Sequence, residues 1–159
     1  MKNLFVVIVA ALTVLGTSNA SAQSPSEQFG VGASIGWFGS GGHAVYAFNS
    51  SLHVGTQFGL LISDGNTNLT FAPYVKYLIG GSKTLRPFFI GQFYISSTTA
   101  NSTTASSTGL RFGGGAEYFI GNDFGIFAQI AILDLPFSPT GSAVSFGIAT
   151  PAIGVEWFF

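Results

Sequence analysis

Apolar and polar positions alternate along almost all of this chain beyond Glu27, and the alternation is cleanest at its end. Read back from Phe159, the residues Phe159, Trp157, Val155 and Ile153 fall on one face, and Phe158, Glu156, Gly154 and Ala152 on the other. A period of two is the signature of a strand. The segment from Ala143 to Phe159 therefore reads as a strand with one wholly apolar face and its single carboxylate on the other.

Seven earlier segments, separated by Gly, Ser, Asn and Asp clusters, read the same way. The first runs from about Gln28 to Phe38, with Phe29, Val31, Ala33, Ile35 and Trp37 on one face. A short second strand spans about His43 to Phe48 with no clear facing, and a third, about Leu52 to Ser63, sets Leu52, Val54, Phe58, Leu60 and Ile62 against His53, Gly55, Gln57 and Gly59. The fourth, about Asn68 to Ile79, has Lys76 opposite its aliphatic stripe; the fifth, about Leu85 to Ser96, has Arg86 and Gln92 there. The sixth, about Gly109 to Ile120, carries Arg111 and Glu117 on its polar face, and the seventh, about Phe124 to Leu133, carries Gln129. In the fourth to seventh strands, charges and amides share the face opposite the aliphatic stripe. An all-β, eight-stranded antiparallel up-and-down transmembrane β-barrel, apolar outside and polar inside, satisfies that pattern, whereas a water-soluble barrel inverts it. Strands of about 10 residues tilted near 45° cross the hydrocarbon layer, and closure pairs every backbone group within it.

Connector lengths alternate as well. Asn49-Ser50-Ser51, Gly80 to Thr84 and Gly121-Asn122-Asp123 read as tight turns, while Ser96 to Thr108 and Asp134 to Ser142 read as longer loops. Short turns lie on the periplasmic side of such barrels, which puts both termini there. The Ser96 to Thr108 segment is polar and of low complexity, and it is expected to be mobile for want of apolar area. Its Asn101-Ser102-Thr103 matches a glycosylation acceptor pattern, to which a bacterial envelope setting gives little weight. Pro73, Pro87 and Pro151 each remove a ladder donor from a strand; Pro87 follows a turn, and the other two are expected toward the outer rim.

Composition bounds the rest. Only 7% of residues are charged, where a soluble domain carries about 25%, too few to cover a water-facing surface. A net charge of -1 without a basic cluster argues against a nucleic-acid partner, and the absence of Cys excludes disulfides and thiol chemistry. Residues 1–22 read as a signal peptide: Lys2 starts it, Leu4 to Leu15 forms its apolar core, and Ala20-Ser21-Ala22 is a cleavage site. Residues 23–159 then form one barrel domain.

The mature chain resembles the small outer-membrane β-barrels of the OmpA/OmpX type. The features that carry this are the segment Leu85-Arg86-Pro87-Phe88 after a turn, the run Gly113-Gly114-Gly115-Ala116-Glu117-Tyr118, and the end Gly154-Val155-Glu156-Trp157-Phe158-Phe159. The resemblance implies a bacterial outer-membrane location and outer-membrane lipids as the surroundings. It also implies that the C-terminal strand, through Ile153, Val155, Trp157 and Phe159, is an assembly signal read by the barrel-assembly machinery. A monomer is expected, with no periplasmic domain after the barrel. Family members include structural proteins, adhesins, small pores and a few enzymes.

The inward charges Lys76, Arg86, Arg111, Glu117 and Glu156 are the candidate site. Counted up from the turns, Lys76, Glu117 and Glu156 share a height, with Arg86 slightly below. The interior of an eight-stranded barrel is just wide enough for side chains to fill, so charges in it must pair. A structural ion-pair plug is the expected outcome; a gate or ion path is the functional alternative. His43, Ser40, Asp64 and Asp134 form the one set that a rim enzyme would use, without any supporting motif, and His53 is expected to pack in the lumen. No metal-ligand spacing or cofactor motif is present, and Gly113 to Gly115 reads as space for large lumen neighbours rather than a phosphate loop. The expected role is structural or interactive within the envelope rather than catalytic, with a narrow channel for small or hydrophobic solutes as the first alternative.

Overall fold

Thr, Val, Ile and aromatic residues at alternate positions favour extended backbone, and the computed structural model, which describes residues 24–36, 40–63, 65–138 and 144–159, contains eight strands. These are β1 (Gln28–Gly36), β2 (Gly41–Asn49), β3 (Leu52–Ser63), β4 (Asn66–Leu78), β5 (Leu85–Ala100), β6 (Thr103–Ile120), β7 (Phe124–Ser138) and β8 (Ser145–Phe158). Each pairs antiparallel with its neighbours in chain order, and β1 closes on β8 from Gly30 opposite Phe158 to Gly36 opposite Ala152. The chain is an eight-stranded up-and-down transmembrane β-barrel. Trp37, Phe38 and Asp64 lie outside the described residues.

The distribution of side chains is inverted relative to a water-soluble protein. Phe29, Ile35, Leu60, Leu69, Phe89 and Trp157 point outward and are more than half exposed, while Lys76, Glu117, Glu156, His53 and Gln92 are buried inside. That exterior has lipid as its compatible solvent.

Three expectations about the strands need correction. The segment Ser96 to Thr108 is not a mobile loop: β5 and β6 stay paired from Ser96 opposite Ser107 to Ala100 opposite Thr103. Asn101 and Ser102 make the reversal, with φ of 48° and 65°. Two consecutive positive φ values are those of the two-residue hairpin turn whose twist matches the strands, and Asn is favoured at its first position. The segment holds together by backbone ladder and Thr propensity, neither of which needs the apolar marks that composition registers. Similarly, Asp134 to Ser138 continues β7 rather than opening a loop. Pro73 sits in mid-strand instead of toward the rim, and the β4–β5 ladder is interrupted there, stepping from Phe71 opposite Ile95 to Tyr74 opposite Gln92.

Candidate functional site in the barrel lumen

Alternation sends every second residue inward, and the stagger of the strands sorts these side chains into levels. The lowest level, nearest the short turns, is apolar: Leu78, Phe88, Phe119 and Phe158 are buried there, with the His53 ring centroid 5.5 Å from that of Phe158.

Above it lies the charged level. Lys76 Nζ donates to Glu117 Oε2 at 2.8 Å and to Glu156 Oε2 at 2.7 Å, and all three side chains are buried. The ammonium also stands 5.4 Å from the Phe88 ring centroid and 5.3 Å from that of Phe127, within the range of cation–π attraction. Tyr74 Oη donates to Glu156 Oε1 at 3.4 Å. Burying ions away from water is strongly unfavourable unless they are paired and hydrogen-bonded, and this arrangement lets one cation serve two carboxylates. Potential metal-ligand atoms of His53, Glu117 and Glu156 lie within 4.8 Å of one another, but Lys76 Nζ already supplies the positive charge between the two carboxylates.

The next level is a neutral hydrogen-bond chain. Gln92 Nε2 donates to Gln57 Oε1 at 3.1 Å, and Gln57 Nε2 donates to Ser34 Oγ at 2.9 Å. The uppermost level holds a second ion pair, in which Arg111 Nη2 and Nε donate to Asp134 Oδ2 at 2.8 and 3.1 Å. Tyr94 Oη donates to Asp134 Oδ1 at 3.0 Å, and the Arg111 guanidinium lies 4.7 Å from the Tyr94 ring centroid.

No protein-family model matches the sequence, and no curated protein matches it. Among solved structures, the N-terminal β-barrel domain of Pseudomonas aeruginosa OprF is similar with a TM-score of 0.67 at 16% identity, over 84% of this chain and 98% of that one. Neisserial surface protein A aligns at 12% identity and a TM-score of 0.49, over 83% of this chain and 94% of that one. The fold is that of the OprF N-terminal β-barrel domain. At such identities the likeness concerns the fold, and the lumen of this barrel has to be read from its own residues.

The structure divides the candidate charges among three places. Lys76, Glu117 and Glu156 meet. Arg86 does not join them, although it faces Glu117 directly across the β5–β6 ladder; it turns toward the turns, where its Nε donates to Ile79 O at 3.1 Å and its Nη2 to Ser51 Oγ at 3.5 Å. Arg111 does not join them either, because it stands two levels higher with Asp134. The described members of the rim set, Ser40, His43 and Asp134, do not meet. His43 sits in the lumen, with its ring centroid 5.6 Å from that of Phe127 and 6.5 Å from that of Tyr74. Ser40 Oγ donates back to Gly36 O, and Asp134 is committed to Arg111 and Tyr94.

The expected use of lumen-face glycines as space for large neighbours holds at Gly115 and extends to glycines that the sequence reading did not single out. A Cβ on Gly115 would come within 2.8 Å of the Phe88 ring, one on Gly55 within 2.5 Å of Tyr74, and one on Gly32 within 2.8 Å of the His43 imidazole. A Cβ on Gly154 would meet the Phe127 ring, and one on Gly125 would meet the Glu117 carboxylate. Phe88, Tyr74, His43, Phe127 and Glu117 each lie over a glycine of a neighbouring strand. The available signal was the spacing of lumen-face glycines opposite large lumen residues, and it becomes legible once the strand register is known.

Proposed function

We propose that this is an integral outer-membrane protein with a structural or interaction role in the cell envelope, and that its lumen is closed rather than conducting. The observation that carries this reading is the filling of the charged level. The space left among Ser34, His43, Gln57, Tyr74, Lys76 and Glu156 is about 10 Å³, about what a single water requires. Below it the apolar level adds a second barrier. The short turns and both chain ends at one end of the barrel support a periplasmic location for them. The outward-facing Ile153, Val155, Trp157 and Phe159 support a C-terminal strand available to outer-membrane lipids and to assembly machinery. Neither the lipid partner nor the monomeric state needs a further contact surface.

The deciding experiment is single-channel recording of the refolded chain, residues 23–159, in a planar bilayer, with insertion confirmed by heat-modifiable electrophoretic migration. The expected result is a silent bilayer. Reproducible current steps would overturn the closed reading in favour of the narrow channel, which the open upper half of the lumen favours. The third reading, a rim enzyme, has less support, since Asp134 pairs with Arg111 and Tyr94 and Ser40 Oγ donates back to Gly36 O.

A further inference from the structure

Above the glutamines the lumen opens into a cavity of about 420 Å³, lined among others by Gln57, Gln92, Tyr94, Thr70, Ser96 and Ser107. Its size falls in the range of small-molecule sites, roughly 300–1,000 Å³, and three features of its wall restrict what fits. The first is neutrality. The described charges at this level are Arg111 and Asp134, which pair with each other at 2.8 Å. A charged guest would therefore have to break that pair or remain without a counter-ion.

The second feature is a continuous hydroxyl and amide face. In register across three strands, Thr70 lies opposite Ser96 and Ser96 opposite Ser107, and one step outward Asn68 lies opposite Thr98. These groups are already aligned with one another. Asn68 Nδ2 donates to Thr98 Oγ1 at 2.8 Å, Thr70 Oγ1 donates to Asn68 Oδ1 at 3.1 Å, and the Thr70 and Ser96 hydroxyls are 3.3 Å apart. Hydroxyls and amides both donate and accept, so the wall matches a guest whose own groups do both. The third feature is the floor. Gln57 and Gln92 line this cavity and also the small space beneath it, so a guest is stopped at two amides rather than passed on.

We propose that this vestibule is a binding site for a small, uncharged, hydroxyl-rich molecule of the mono- or disaccharide class, presented either free or as the neutral sugar part of a surface glycan. The proposal is independent of whether the level below conducts, since the site lies wholly above the glutamine floor.

The test is a chemical-shift titration of the refolded, isotope-labelled barrel in phosphocholine nanodiscs, which contain no sugar headgroup. The probes are a panel of neutral mono- and disaccharides, with glucuronate as the anionic control. The expected result is saturable shifts at the Gln57 and Gln92 side-chain amides and at Ser96 and Ser107 with at least one neutral sugar. Gln92→Leu and Thr70→Val should each weaken binding by about tenfold, the effect of losing one well-placed hydrogen bond. Thr104→Ala, at the outward-facing position opposite Thr99, should leave it unchanged. If Gln92→Leu fails to fold, Thr70→Val carries the test alone. The proposal is overturned if no neutral sugar gives saturable shifts at these residues, if glucuronate binds as well as the neutral panel, or if Thr104→Ala weakens binding as much as Thr70→Val. Repeating the titration with a free sugar and with its lipid-linked form distinguishes the two sources.

Discussion

Arg111 and Asp134 face each other across the β6–β7 ladder at 2.8 Å, with an extra residue of β7 taken up in a bulge just below them. Pairing runs regularly up to Ala131 opposite Gly113, then resumes with Leu133 opposite Phe112, so Ile132 is left over. In strict alternation with Ala131 inward, Asp134 would point to lipid. A bulge shifts the facing by one residue and turns this carboxylate into the lumen.

Removing Ile132 regularises the β6–β7 ladder without changing which way Asp134 points. We expect the deletion to leave the urea-unfolding midpoint in lipid vesicles close to that of the parent. Inserting one Ala between Leu133 and Asp134 restores the outward facing, strands Arg111, and should destabilise the barrel by roughly 1–2 kcal/mol. Equal effects of the deletion and the insertion would contradict the assigned role of the bulge.

Lys76 holds Glu117 and Glu156 together, so its loss leaves two carboxylates facing each other in a closed interior. Lys76→Met should destabilise by about 3–5 kcal/mol. Adding Glu117→Gln and Glu156→Gln to it should recover most of that loss, because no unpaired ion remains. The comparison is read from equilibrium unfolding of the single and triple variants; a triple variant less stable than the single would show that the charges do more than neutralise one another.

The glycine slots give a packing test. Gly154→Ala and Gly125→Ala add a methyl where the Phe127 ring and the Glu117 carboxylate lie, and overpacking of this kind costs about 1–3 kcal/mol. Gly80→Ala, which meets nothing within 4 Å, is the control. Similar midpoints for all three would remove the slots from the account.

At the tip of the β5–β6 hairpin, Ser102 holds a φ of 65°, which favours glycine. Ser102→Gly should slow amide exchange near Thr99 and Thr104, whose hydroxyls are 2.9 Å apart, and Asn101→Val should speed it. Both should leave the global midpoint unchanged, since the tip lies beyond the packed lumen. Faster exchange in Ser102→Gly would count against the turn geometry.

How much was legible beforehand depends on which signal each element carried. β3 has a sustained apolar alternation between clear turn residues, and its limits, Leu52 and Ser63, can be read directly. The outer halves of β5 and β6 contain Ser and Thr on both faces, so their alternation has no hydrophobic contrast to detect, and a paired hairpin looks like a linker. In the lumen, counting from the turns puts Lys76, Glu117 and Glu156 at one height because their strands are regular in that half. The same counting puts Arg86 slightly below, but it does not show that this side chain turns back to Ile79 O instead of joining the cluster. It misleads for His43, which has its outer-end position in sequence but points down onto aromatic rings.

The chain alone determined the architecture and the solvent. Period-two alternation with 7% charged residues leaves a closed barrel as the way to satisfy the backbone in lipid. Tertiary structure decided the chemistry of the interior. Lys76 meets carboxylates 41 and 80 residues away, and Asp134 enters the lumen by a bulge. Those encounters depend on strand stagger, register shifts and barrel closure, and none of these is written in the local pattern of any one strand.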